Sequence, residues 1–149
     1  MGSKLRVLVI CVHNSARSQM AEEYIRKLGS DYFEVESAGL EPGKLNRYVV
    51  AALREEGIDI SGKKTQSVFD LWKAGRAYDF VIAVCSKEAE ERCPIFPGPV
   101  VRLAWPFADP SQFTGTDAEI MARVRDLRDD IRETARAFVD ERRARTKEG

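Results

Sequence analysis

A chain of 149 residues with 44% hydrophobic and 32% charged side chains is long enough to bury one core and too mixed to be disordered or collagen-like. Its 24 basic and 24 acidic residues cancel, which argues against a nucleic-acid partner, because holding many phosphates of a polymer demands a basic excess. The N-terminal apolar run is too short for a signal peptide or a membrane span, and no later segment approaches the length of one, so no membrane contact is expected. Three cysteines, Cys11, Cys85 and Cys93, do not make a secreted disulfide framework. The expectation is a single domain over residues 1–149, in the cytoplasm.

In chain order, the β-branched run from Leu5 to Ile10 predicts a strand. A short polar turn follows, and Met20, Ala21, Tyr24, Ile25 and Leu28 recur at helical spacing. Gly29 to Tyr32 breaks the helix, and Phe33 to Glu36 alternates as a short edge strand. Glu41-Pro42-Gly43 predicts a turn, and the segment from Asn46 to Glu56 a helix stopped by Gly57. Ser67-Val68-Phe69-Asp70 reads as a capping box opening a short helix with Val68, Leu71 and Trp72 facing inward. Phe80 to Val84 is an uninterrupted apolar run, suited to a strand covered on both faces. Pro99 to Trp105 predicts a further strand. Thr116-Asp117-Ala118-Glu119 caps a last helix with the stripe Ile120, Val124, Leu127, Ile131, Ala135 and Phe138, and residues 142–149 read as a polar, solvated tail. Four strands alternating with helices point to an α/β fold, a three-layer sandwich around a four-stranded parallel sheet.

In such a sheet the ligand site lies at the C-terminal edge of the strands. Cys11 ends the first strand, Cys85 the third, and Asp109 follows the fourth, so three reactive residues share that edge. Adjacent strands lie about 4.8 Å apart, within disulfide reach. The loop Cys11-Val12-His13-Asn14-Ser15-Ala16-Arg17-Ser18 sits between a strand and a helix N-terminus, where free amides and the helix dipole favour an oxyanion. Val12, His13, Asn14, Ser15, Ala16 and Arg17 are the expected oxyanion-binding residues. Because the thiolate is the nucleophile, Cys11 needs the amides, Arg17 and Ser18 beside it. The planar fork of Arg17 can hold two oxygens of a tetrahedral oxyanion, which Lys cannot reproduce. His13, the only histidine, is poorly placed to pair with Cys11 from two positions away on a tight loop.

Cys11-x5-Arg17-Ser18 near the N-terminus and Asp109-Pro110 late in the chain resemble the phosphate loop and general acid of the low-molecular-weight protein tyrosine phosphatases, and Glu36-Ser37-Ala38-Gly39 belongs to the same likeness. Asn14 through Glu22, Val84-Cys85 and Cys93-Pro94 look further like the thioredoxin-coupled arsenate reductases of that fold. That resemblance implies a relay in which Cys11 attacks arsenate, Cys85 attacks Cys11 to release arsenite, and Cys93 attacks Cys85. It further implies Arg17, Ser18 and Asp109 as catalytic partners, phosphate or sulfate as substrate mimics, no tightly bound cofactor, and thioredoxin as external reductant. Seven residues separate Cys85 from Cys93, where familiar members have six. Some members hold potassium, and Asn14, Glu22 and Ser37 match its ligands, whereas the position of an Asp ligand is Ser67, an N-cap. If the segment between Cys85 and Cys93 is helical, the two lie about 12 Å apart, so bridging them requires it to unwind.

Two rival expectations remain. A phosphotyrosine phosphatase would work through a cysteinyl-phosphate with Asp109 as general acid; the extra thiols, and Ser111 and Gln112 in place of aromatic residues after Asp109-Pro110, count against it. A thiol-based arsenite or metal binder lacks zinc-site spacing.

Overall fold

The computed structural model describes residues 4–148, with side chains through residue 145. Four parallel strands, β1 (Leu5–Cys11), β2 (Phe33–Gly39), β3 (Phe80–Ala83) and β4 (Val101–Ala104), form one sheet in the order β2-β1-β3-β4. The helices are α1 (Arg17–Gly29), α2 (Arg47–Glu55), α3 (Val68–Lys73), α4 (Lys87–Glu91) and α5 (Asp117–Glu148), with a 3-10 turn at Pro110–Gln112. This is the expected α/β fold. On β1, Val7 and Val9 point to one face and Leu8 and Ile10 to the other, and all four are buried, so the central strand is covered on both sides. Truncating Leu8 or Ile10 to Ala would cost about 2–5 kcal/mol through lost burial and the cavity left behind.

The order β2-β1-β3 means that the chain leaves β1 in one direction and returns to its other side. The C-terminal ends of β1 and β3 therefore flank the point where successive connections diverge, the crevice in which open α/β sheets bind ligands. The register pairs Ile10 with Ala83, and the Val84 N–H donates to the Ile10 carbonyl at 3.0 Å. Cys11 and Cys85 are thus carried to neighbouring strand ends.

Local chemistry explains most boundaries. The Asn46 side chain accepts from the Tyr48 and Val49 N–H groups and opens α2, and Gly57 takes the positive φ of 78° that ends it. Thr116 and Glu119 cap each other reciprocally at the start of α5. Two expectations need correction. Trp72 does not face inward with Val68 and Leu71: it is 46% exposed, and its indole N–H donates to the Ile95 carbonyl at 3.0 Å. A six-residue helix buries a single turn, and a third apolar residue has no room on that face. Nor is the segment after Arg142 a loose tail, because α5 continues through it to Glu148, and Gly149 lies outside the described residues. The Arg142 guanidinium sits 4.4 Å above the Phe80 ring, beside the stacked Phe33–Phe138 pair, and Arg143 bonds the Leu28 carbonyl and Asp31.

Candidate active site

The loop after β1 has its carbonyls turned outward. Those of Cys11, Val12, His13 and Ser15 accept hydrogen bonds from the N–H groups of Leu40, Glu41, Gly43 and Asn46 at 2.7–3.1 Å. The Asn14 carbonyl accepts from Gln19 Nε2 and the Ala16 carbonyl from the Met20 N–H. The polar groups left for the loop interior are the backbone N–H groups of the loop and of the first turn of α1, a nest for an oxyanion. One of them, Asn14 N–H, already donates to Cys11 Sγ at 3.1 Å. Asn14 holds a left-handed φ of 54°, which an asparagine tolerates. Gly39 makes the turn admissible: a Cβ there would lie 2.7–2.9 Å from the backbone of Val12, His13 and Asn14.

A buried hydrogen-bond chain supports the nucleophile. Ser18 Oγ lies 2.9 Å from Cys11 Sγ, and Asn14 Nδ2 donates to both Ser18 Oγ (2.8 Å) and Ser37 Oγ (2.9 Å). Ser37 donates in turn to Glu22 Oε1. The proton directions follow from donor counting. Asn14 uses both amide hydrogens, Ser37 gives its hydroxyl hydrogen to a carboxylate, and Ser18, already accepting from Asn14, has its own hydrogen for the sulfur. The Ser18 hydroxyl hydrogen is thereby aimed at the nucleophilic sulfur.

Arg17 is fixed from both sides of the crevice. Its Nη1 donates to the carbonyls of Val84 (3.2 Å), beside Cys85, and of Phe107 (3.1 Å). Its Nη2 faces Asp109 Oδ2 at 3.7 Å. The guanidinium is therefore oriented by its Nη1 hydrogen bonds, with Nη2 in a longer ion pair to Asp109. Asp109 also caps the 3-10 turn, its Oδ1 accepting from the N–H and hydroxyl of Ser111 at 2.9 and 2.8 Å, so the turn-former and the site residue are the same carboxylate. His13 points away from the thiol, with Nδ1 at 2.9 Å from the Glu41 carbonyl.

All three cysteines are free and buried. Burial pushes the Cys85 thiol up to about 11, and charge on Cys11 adds to the rise, opposed by Arg17. Cys93 is likewise pushed up to about 11 by burial, with Arg102 opposing and Cys85 adding. Cys85 thus feels Cys11, and Cys93 in turn feels Cys85. Both later thiols are neutral at pH 7, so their alkylation in Cys11→Ser protein should rise about tenfold per pH unit between pH 7 and 10. Mass spectrometry of iodoacetamide-treated samples checks this, and a pH-independent rate would contradict it.

Helix α4, N-capped by Ser86, stands between Cys85 and Cys93 as a helix of five residues. Arg92 reaches Glu41 at 2.9 Å, on the segment that braces the oxyanion loop. Past Cys93, the Trp72–Ile95 bond and the Tyr78–Phe96 ring contact hold the chain down.

Asn14, Glu22 and Ser37 are brought together as expected, but they do not fit a potassium ion. Glu22 Oε2 is held by Lys63 Nζ at 2.8 Å and by Arg26, and Ser67 caps α3. Burial alone would push Glu22 up, yet Lys63, then Ser37 and Arg26, bring it below the ordinary carboxylate range. Lys63 and Gln66, which shape this network together with Gln19, carry no sequence signal: both are loop residues pairing with distant partners. Among the described residues no group of three or more His, Cys, Asp or Glu side chains could hold a metal ion, and no helix is long and apolar enough to cross a membrane.

A parallel sheet whose crevice holds a thiol, an anchored guanidinium and a ring of outward-turned carbonyls defines a cysteine-centred phosphate-loop protein. The chain belongs to the low molecular weight phosphotyrosine protein phosphatase family, which it matches over residues 6–144. It is 40% identical over 138 residues to an arsenate reductase of Bacillus licheniformis, covering 93% of this chain and 97% of that one. Among solved structures, it resembles an arsenate reductase in the phosphate binding state, with a TM-score of 0.71 and 27% identity over 92% of this chain and 98% of that one. It also resembles a thioredoxin-dependent arsenate reductase of Corynebacterium glutamicum, with a TM-score of 0.63 and 26% identity over 93% of this chain and 65% of that one.

Proposed function

We propose that this protein reduces arsenate to arsenite through Cys11, Cys85 and Cys93 in that order. The observation that carries the reading is the placement of a second buried thiol, Cys85, at the strand end beside the nucleophile and in electrostatic contact with both Cys11 and Cys93. A hydrolytic phosphatase has no use for it. The arsenate reductases among its relatives support the same substrate.

Arsenate sits in the amide nest with Arg17 on its oxygens. The Cys11 thiolate attacks arsenic, an As–O bond breaks, and Asp109 protonates the departing oxygen. Cys85 then attacks Cys11 Sγ; the Cys11 S–As bond breaks with its electron pair going to arsenic, which leaves as arsenite, and a Cys11–Cys85 disulfide forms. Cys93 attacks Cys85 Sγ, returning Cys11 as thiolate and leaving a Cys85–Cys93 disulfide. Two thiols are oxidised for one As(V) reduced to As(III), and an external dithiol supplies the two electrons. Thioredoxin is the proposed donor, on the strength of the thioredoxin-dependent relative, and the reducing cytoplasm the proposed compartment.

Bridging Cys85 and Cys93 is expected to unwind α4, since helical rise over the eight positions would hold them about 12 Å apart and a disulfide tolerates no more than about 7 Å between Cα atoms. Five residues of helix are a small barrier. Amide exchange across residues 87–93 is expected to be faster in the oxidised protein than in the reduced one, and identical patterns would sink this step. The function itself is tested by arsenate-dependent oxidation of NADPH with thioredoxin and thioredoxin reductase. Turnover is expected for the native chain and background for Cys11→Ser; a native chain at background would refute the assignment.

A further inference from the structure

We propose that Lys63 is a built-in cation of the active site, a positioning residue whose ammonium fixes the hydrogen-bond chain that ends on Cys11. Glu22 is 4% exposed, and a carboxylate so deep stays ionised only against positive charge. Lys63 supplies it from a separate loop, with Nζ at 2.8 Å from Glu22 Oε2 and 3.1 Å from Glu23 Oε2. Arg26 also touches Glu22, but it divides its donors among Glu22, Glu23 and the Val35 carbonyl.

The ionised Glu22 determines everything downstream. Its Oε1 takes the Ser37 hydrogen, which turns the Ser37 lone pairs toward Asn14 Nδ2. The second Asn14 amide hydrogen then goes to Ser18 Oγ, and the Ser18 hydrogen goes to Cys11 Sγ. Were Glu22 protonated, it could donate to Ser37 instead, and the directions along the chain would no longer be imposed. The loop bearing Lys63 also brings the Gln66 N–H to Asn14 Oδ1 at 3.1 Å, so both ends of the Asn14 amide are set from the same side. Lys63 therefore supplies, at Glu22, the positive charge that a bound monovalent cation would otherwise bring.

The inference rests on Cys11 as the nucleophile of the proposed cycle and not on arsenate as its substrate. The test is alkylation of Cys11 by iodoacetamide at pH 7 in a Cys85→Ser/Cys93→Ser background, where Cys11 alone can react. Lys63→Met, which keeps the stem and removes the charge, is expected to slow alkylation roughly tenfold, and Lys63→Arg to keep most of the rate. In Lys63→Met, added potassium or ammonium chloride should restore the rate with saturation, whereas tetramethylammonium chloride at equal ionic strength, too large to enter, should not. Lys63→Gln repeats the experiment should the Met variant be too unstable to assay. An unchanged rate, a loss no small cation restores, or equal restoration by tetramethylammonium would each overturn the proposal. A structural role alone would lower thermal stability without a size-selective cation response. Because alkylation reads Cys11 directly, its outcome is separate from whether the protein reduces arsenate.

Discussion

Replacing Arg17 with Lys is expected to lower kcat/KM for arsenate by about 100-fold or more, the scale seen when one preorganised oxyanion donor is removed. The charge survives this change, so the loss reports geometry. Arg17 Nη1 bonds the Val84 and Phe107 carbonyls while Nη2 faces Asp109, an arrangement of a planar fork with fixed donors. A single ammonium cannot hold both carbonyls and two oxygens of a tetrahedral anion together. The same bonds tie the guanidinium to the residue before Cys85 and to the loop of Asp109, so the fork also sets the spacing of nucleophile, second thiol and acid. Steady-state kinetics at varied arsenate check this, and a Lys variant within threefold of the parent would remove Arg17 from the proposed role.

Cys85→Ser is expected to bring arsenite formation down to the uncatalysed background while leaving Cys11 able to hydrolyse an aryl phosphate. The serine preserves the size of the side chain at the end of β3, so the sheet and the Val84 contacts to Ile10 and Arg17 persist. What disappears is the thiol that, in the proposed relay, forms the sulfur–sulfur bond with Cys11 as arsenic takes up its electron pair. Burial holds Cys85 neutral at pH 7, so its proton must leave as it attacks. Arsenite release by Cys85→Ser at the native rate would transfer the second step to another thiol.

The loop from Cys11 to Ser18 was legible because a fixed spacing between nucleophile and guanidinium, placed between a strand run and a helical stripe, leaves few other uses for those residues. The sheet was legible for a similar reason: apolar runs such as Phe80–Val84 imply burial on both faces, and β1 and β3 are so buried. Trp72 was misplaced because periodicity over one helical turn cannot tell the core face from its margin. Arg142 and Arg143 were read as solvated because charge at a helix end is usually so, whereas here Phe80 and the Leu28 carbonyl lie within their reach. Lys63 was invisible: a loop lysine declares its partner only when the fold brings Glu22 to it across 41 positions of sequence. The trio Asn14, Glu22 and Ser37 left an external cation open, with Ser67 at the position of its Asp ligand, and Lys63 is the cation proposed in its stead.

The order of the thiols is tested most directly by mapping disulfides after a single turnover with arsenate and no external reductant, using peptide mass spectrometry. The native chain should release one arsenite and carry a Cys85–Cys93 bridge with Cys11 free, and Cys93→Ser should stop at Cys11–Cys85. A native chain that releases arsenite yet holds Cys11 in the final disulfide, or holds none, would contradict the relay.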